Sequence, residues 1–299
     1  MKPSDTEIDM NAKESESKGF RAYVERRVAA MREDYLKALP FKPFPNWPDD
    51  RRAAPNDMIR SALFGVVKRG RRVMLKKHEL PGPPGWKLYY TGQRLDQIDL
   101  DIWLEIMHRA RTKIPGEEIR FTLRSVLRSL GHQVGRSGYL WLKDRLDGMT
   151  NGGFSYESQD GNKGGATGSL FRNFHIDQIS GEGVIETNER LRSLYENITY
   201  LDFGDRLALS CQLSKWLHSL IASHVRWMPT KVKTLMLQSG VSFARIRDFR
   251  AALKEALEEL KEHKLIRAWS IDHADMVHVE KDRSPTQQRH LAAHSDNQR

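Results

Sequence analysis

The chain of 299 residues carries 49 Lys and Arg against 39 Asp and Glu, a formal charge of +10, and an isoelectric point near 9.6. That balance favours a polyanionic partner, nucleic acid or an acidic membrane surface, while 39% hydrophobic content with seven Trp and eleven Phe suffices for real cores. The one cysteine, Cys211, excludes an internal disulfide or a cysteine-rich zinc site. No apolar run approaches the roughly 18 residues of a membrane span, and the polar N-terminus lacks a secretory signal, so a cytoplasmic protein without membrane contact is expected.

Residues 1–18 and the tail from Glu280 are charged and nearly free of aromatics, which predicts no fixed structure at either end. Phe20–Leu39 has helical periodicity, and Pro40–Asp50, with four prolines, predicts an extended linker. Met58–Val67 and Gly85–Gly92 read as strands. Ile98–Arg111 reads as a helix with Ile98, Ile102, Leu104 and Ile106 on one side.

Thr122 can cap a helix carrying Leu123, Val126, Leu127 and Leu130, and Gly131 can end it; Ser137–Met149 supplies a second helix after a short turn. Gly152–Ser158 and Ser169–Asp177 then read as two strands around a glycine-rich hairpin tip, Gln159–Gly168. Helix, helix and hairpin is the winged-helix order.

The plan repeats. Gly181–Ile198 reads as a joining strand and helix, with the helix starting near Asn188. A long helix over Asp205–His224 packs Cys211 inside it. A helix at Thr230–Gln238, a turn at Ser239–Gly240, a helix from Ser242 to Leu260 and a hairpin over Ile266–Lys281 complete the order. The expected class is α+β: two tandem winged-helix domains with a partly disordered N-terminal extension and C-terminal tail. The divisions are 1–44 (extension and linker), 45–185 (first domain), 186–281 (second domain) and 282–299 (tail).

The Ser242–Leu260 helix opens with Arg245, Arg247 and Arg250, although a helix dipole prefers acids there, so an external partner is expected to compensate. At 100° per residue, Ile246, Phe249, Leu253, Ala256, Leu257 and Leu260 share one face and Ala244, Arg247, Asp248 and Ala251 lie opposite. With Ser242 as N-cap, Arg247 is placed for a bidentate contact to guanine, and Asp248 to accept from cytosine or orient an arginine. Ala244 and Ala251 allow close approach. Ser242, Ala244, Arg247, Asp248 and Ala251 are the candidate base-reading residues; Lys231, Lys233, Arg245, Arg250 and Lys254 are the candidate phosphate contacts. A solvated helix with incidental arginines is the alternative, which the position before a hairpin disfavours.

In the first domain the candidates are Lys143 and Arg145 on the second helix and Lys68, Arg69, Arg71 and Arg72 in the densest basic run. That run is equally compatible with a solvated loop. No Walker loop, HExxH, paired CxxC or GxSxG is present, and His273 and His278 fall on opposite faces of a predicted hairpin. Neither catalysis, metal nor cofactor is expected.

Trp47–Phe64 (WPDDRRAAPNDMIRSALF), Tyr89–Leu95 (YYTGQRL), Ile114–Leu123 (IPGEEIRFTL) and the Ser242 helix with His263–Trp269 (HKLIRAW) behind it resemble the TrfA family of plasmid replication initiators over about residues 45–281. The resemblance implies binding to directly repeated origin sequences (iterons), opening of an adjacent AT-rich segment with contact to single-stranded origin DNA, and loading of the host replicative helicase with the host initiator. It further implies that the second domain does most major-groove reading, over Ala244–Ala251. The first would contact backbone and dimerise, the homodimer being the inactive or copy-control form. Some relatives carry a Gln-Leu-x-Leu-Phe sliding-clamp peptide before Trp-Pro-Asp; Ala38–Asn46 stands there without the glutamine, which argues against clamp binding. Two other readings share these local features: a winged-helix transcriptional repressor that melts no origin, and a protein-interaction module with incidental basic charge.

Overall fold

The computed structural model of the chain describes residues 44–282, except 68–71, 84, 159–163, 178–179, 181 and 242, together with Arg27. The expectations for residues 1–18, for the tail beyond Asp282, for the Phe20–Leu39 helix beyond Arg27 and for the hairpin tip at 159–163 lie outside the described residues; Glu280, expected in the unstructured tail, ends the last strand instead.

The chain is organised around helix α2 (Gln97–Ala110), which follows a short helix α1 (Asn56–Ile59). Asp96 starts α2 with a capping box: its carboxylate accepts from Ile98 N and Asp99 N, and Asp99 accepts back from Asp96 N. Ile102, Trp103, Leu104, Ile106 and Met107 are all buried, so α2 has no solvent face. Its acids are buried too and are met by arginines: Glu105 accepts from both Arg52 and Arg109.

The strands β1 (Arg51–Pro55), β2 (Met74–Leu80) and β3 (Trp86–Gln93) precede α2. After it come β4 (Glu118–Phe121), α3 (Leu123–Ser129), α4 (Arg136–Asn151), β5 (Gly153–Ser158), β6 (Gly164–Gly168), β7 (Phe171–Ile176) and β8 (Gly183–Thr187). Thr122 caps α3 by accepting from Ser125 N, and Gly131 (φ +68) turns the chain out of it, as expected. The antiparallel sheet of this half has the order β4-β8-β7, and β2-β3-β5-β6 form a second sheet.

A 3-10 helix (Glu189–Glu196) capped by Asn188 leads to β9 (Ile198–Asp202), which pairs antiparallel with β1. Then follow α5 (Phe203–Ala208), α6 (Gln212–Ser223), β10 (Thr230–Lys231), α7 (Val232–Gln238), α8 (Ile246–Glu262), β11 (Ala268–Ile271) and β12 (Met276–Glu280), with sheet order β10-β12-β11. Both halves therefore run helix, strand, helix, helix, hairpin, and the last strand lies between the other two. One hydrophobic cluster runs from Phe44 to Phe203; the other runs from Leu209 to Val279 and includes Val66.

Five expectations need correction. Met58–Val67 is not a strand: Ala62, Leu63 and Phe64 are buried in consecutive bends, so the run is apolar without alternation. The hairpin placed between β5 and β7 does not form: β5 pairs with the glycine-rich β6, and β7 pairs with β8. The predicted long helix breaks at Leu209–Cys211, where Leu209 is buried and Cys211, exposed rather than packed, caps α6. The end of the proline-rich segment is core: Trp47 stacks on Tyr195 and donates from Nε1 to His108 Nδ1 at 2.9 Å. Helix α8 begins at Ile246, not Ser242.

Candidate nucleic-acid interface

Helix α8 buries Phe249, Leu253, Ala256, Leu257 and Leu260, the stripe that its spacing predicts. Arg245 is its N-cap residue in extended conformation without a side-chain cap, and Ala244 is exposed in the preceding bend. Phe243 packs edge-to-face on Phe249 with centroids 5.5 Å apart and fixes the angle at which the chain joins the helix, as a hydrophobic staple does. Ser242 lies outside the described residues.

The conflict between the arginines and the helix dipole is largely settled within the chain. Asp248, an acid in the first turn where the dipole favours one, accepts from Arg245 Nε at 3.1 Å and lies 3.7 Å from Arg247 Nε. Arg250 is turned away to Asp275, to which it donates twice. Arg250, expected at a phosphate, is engaged by Asp275, whereas Arg247, 74% exposed, keeps its guanidinium beside exposed Ala251 and Lys254. Lys231 and Lys233, at the start of α7, are exposed as well. Lys231, Lys233, Arg247 and Lys254 thus all reach solvent.

The β11–β12 turn stands beside it. Asp272 accepts from Ala274 N and Met276 N and from His278 Nε2, which hold its carboxyl below the usual carboxylate range. Asp275, at φ +63, is held by Arg250. Both acids of the turn are therefore paired with cations or backbone donors, and His273 and Ala274 are the exposed residues at its tip.

In the first half two candidates are withdrawn. Arg145 is buried on α4 and donates to Asp96 and Asp99, both at 2.9 Å. Arg72 bonds Asp99 at 3.0 Å and reaches Asp144 at 3.4 Å. Lys143 remains exposed, and Lys68, Arg69 and Arg71 lie outside the described residues. Arg124, Arg128 and Arg136 are further exposed cations on α3 and α4. On α3, Arg124 and Arg128 each stand about 160° from buried Val126 at 100° per residue.

Among the described residues no group of three or more His, Cys, Asp or Glu is arranged to hold a metal ion, and no described helix is long and apolar enough to cross a membrane.

The sequence model of the TrfA protein family matches residues 7–281. The chain is 26% identical over 242 residues to the plasmid replication initiator protein TrfA of Escherichia coli, a match covering 79% of this chain and 63% of that protein's length. In fold it is similar to the crystal structure of domains 2 and 3 of RctB, with TM-score 0.51 and 13% identity over 77% of this chain and 99% of the other. It is also similar, with TM-score 0.46 and 14% identity over 62% of this chain and 94% of the other, to the Pi initiator protein in complex with iteron DNA.

Proposed function

The chain belongs to the TrfA family, and from that premise we propose that it is a non-enzymatic plasmid replication initiator built of two tandem winged-helix domains. It binds directly repeated origin DNA, promotes opening of the adjacent duplex and helps the host initiator load the replicative helicase. The observation that carries the reading is the open face of α8, where Arg247 projects between Ala244 and Ala251 beside a hairpin whose acids are already paired. Arg247 reads a guanine, Asp248 holds the arginines in register, and Lys231, Lys233, Arg245 and Lys254 meet phosphates. The first half adds backbone contacts through Lys143 and serves homodimerisation.

Several copies on adjacent repeats would bend the duplex, and the deformation energy is released where base pairs are weakest. The test is permanganate reactivity of a supercoiled origin plasmid with purified protein, read beside a footprint of the repeats. Protected repeats with reactive thymines in the AT-rich segment are expected. Protected repeats with a closed duplex would make the protein a repressor, and no protection would end the DNA reading.

A further inference from the structure

Besides Glu105, helix α2 buries a cluster of polar and charged side chains at its N-terminal end. Asp96, Gln97, Asp99 and Asp101 are all nearly inaccessible, and each is engaged from outside the helix. Arg145 reaches Asp96 and Asp99 from α4, the longer helix of the first helix pair. Arg206, with no accessible side-chain surface, comes from α5: its Nε donates to Asp101 Oδ1 at 2.5 Å, Nη1 to Ser219 Oγ at 2.7 Å and to Lys215 O at 2.9 Å, and Nη2 to Gln97 Oε1 at 2.9 Å. Lys215 on α6 takes the other Asp101 oxygen at 2.5 Å.

The turn that launches α8 rests on the same half of the molecule. Val66 N donates to Ser239 O at 2.8 Å, and Arg94, tied to Ala62 O at 2.7 Å, fills the space against Gly240, whose φ of +65 and close neighbour leave no room for a side chain. At the far end of α6, Arg60 Nε donates to Ser223 Oγ at 2.9 Å. Buried ion pairs of this kind add little stability for their desolvation cost, and their best-attested use is to select one arrangement over others. Here both exposed helices, α4 directly and α8 through α5 and α6, are referenced to one short stretch, residues 96–101.

We propose that this ionic hub is a register gauge. It holds α4 and α8 at one fixed separation, so that the chain recognises two duplex segments a set number of base pairs apart. Arg206 is the positioning residue that determines this spacing without touching DNA. The inference rests on the DNA-binding reading above and adds to it the source of repeat-length specificity.

The test has two arms. In the first, spin labels on Lys143→Cys and Lys254→Cys, in a Cys211→Ser background, report the distance between α4 and α8 without DNA. A narrow distribution is expected for Arg206 and a broad one for Arg206→Met. Arg206→Lys, which keeps the charge and loses the planar fork, is expected to lie between and serves if the methionine variant does not fold.

In the second arm, unlabelled proteins bind the origin repeat at its native length and lengthened or shortened at its centre by about one, two and five base pairs, the last roughly half a helical turn. Unaltered protein should prefer the native length. Arg206→Met should lose about tenfold on it, or about 1.4 kcal/mol, while its binding to altered lengths falls less. A variant that is merely less stable would lose equally on every length. A narrow distribution or unchanged length preference in Arg206→Met overturns the register gauge and leaves the DNA reading intact. Failure of the unaltered protein to prefer any repeat overturns that reading and the spacing claim with it.

Discussion

Arg250 of α8 and Asp275 of the β11–β12 turn form a two-fold hydrogen-bonded ion pair, Nε to Oδ1 at 2.8 Å and Nη2 to Oδ2 at 2.9 Å. The pair ties the reading helix to the hairpin and covers an acid that would otherwise face phosphate. Arg250→Ala and Asp275→Ala should therefore weaken DNA binding by similar factors, and the double variant by no more than either alone. Fluorescence anisotropy on the origin repeat supplies the cycle. Tighter binding by Asp275→Ala would return Arg250 to the phosphates.

Arg247 and the lysines should separate cleanly. Arg247→Ala is expected to cost about 1–3 kcal/mol of preference for the repeat over a scrambled duplex. Lys254→Ala or Lys233→Ala should weaken both duplexes alike and reduce the salt slope by about 1. Binding isotherms across a salt series decide both, and an Arg247→Ala protein with undiminished preference would remove this side chain from base reading.

Arg145 was a DNA candidate and is now a buried partner of two carboxylates. Its removal leaves Asp96 and Asp99 short of a cation, so Arg145→Ala should lose about 3–5 kcal/mol in urea unfolding. Exposed Lys143→Ala, two residues away, should stay within about 0.5 kcal/mol. Equal stability of the two variants would contradict the burial argument.

These reassignments show what was legible in the sequence. Helices α2, α3, α4, α7 and α8 were found because each repeats apolar residues at helical spacing, and local chemistry such as Thr122 and Gly131 marks the ends of α3. Strand β6 was hidden because Gly164–Gly168 pairs through backbone alone and offers no alternating side chains. Arg72, Arg145 and Arg250, expected at DNA, each hold a carboxylate that local sequence does not reveal. Their carboxylate partners lie between 25 and 72 residues away in the chain, beyond any count of local charge. The face of α8 needed no such knowledge, since a helix with one apolar stripe leaves Arg247 only one side to occupy.

Acid should destabilise the fold through its buried histidines. Burial, with Arg206 and Lys281 nearby, pushes His218 from 6.5 to about 3, and its Nδ1 has no hydrogen-bond partner among the described residues. Burial, then Arg52 and Arg111, lowers His108 to about 4, and its Nδ1 must stay unprotonated to accept from Trp47. Because these folded-state values lie below the ordinary one, the unfolded chain takes up protons first, and stability is lost as pH falls from about 6.5 toward 3. Asp99 acts oppositely: burial, then Asp96, raises it from 3.8 to about 6, so the folded state gains a proton first and recovers some stability between those values. Two imidazoles outweigh one carboxyl, and melting temperature should fall steadily below pH 6.5. His218→Leu removes the unpartnered nitrogen along with the larger of the two histidine shifts, so its melting temperature should fall less steeply over the same range. An unchanged slope would show that His218 does not drive the acid limb.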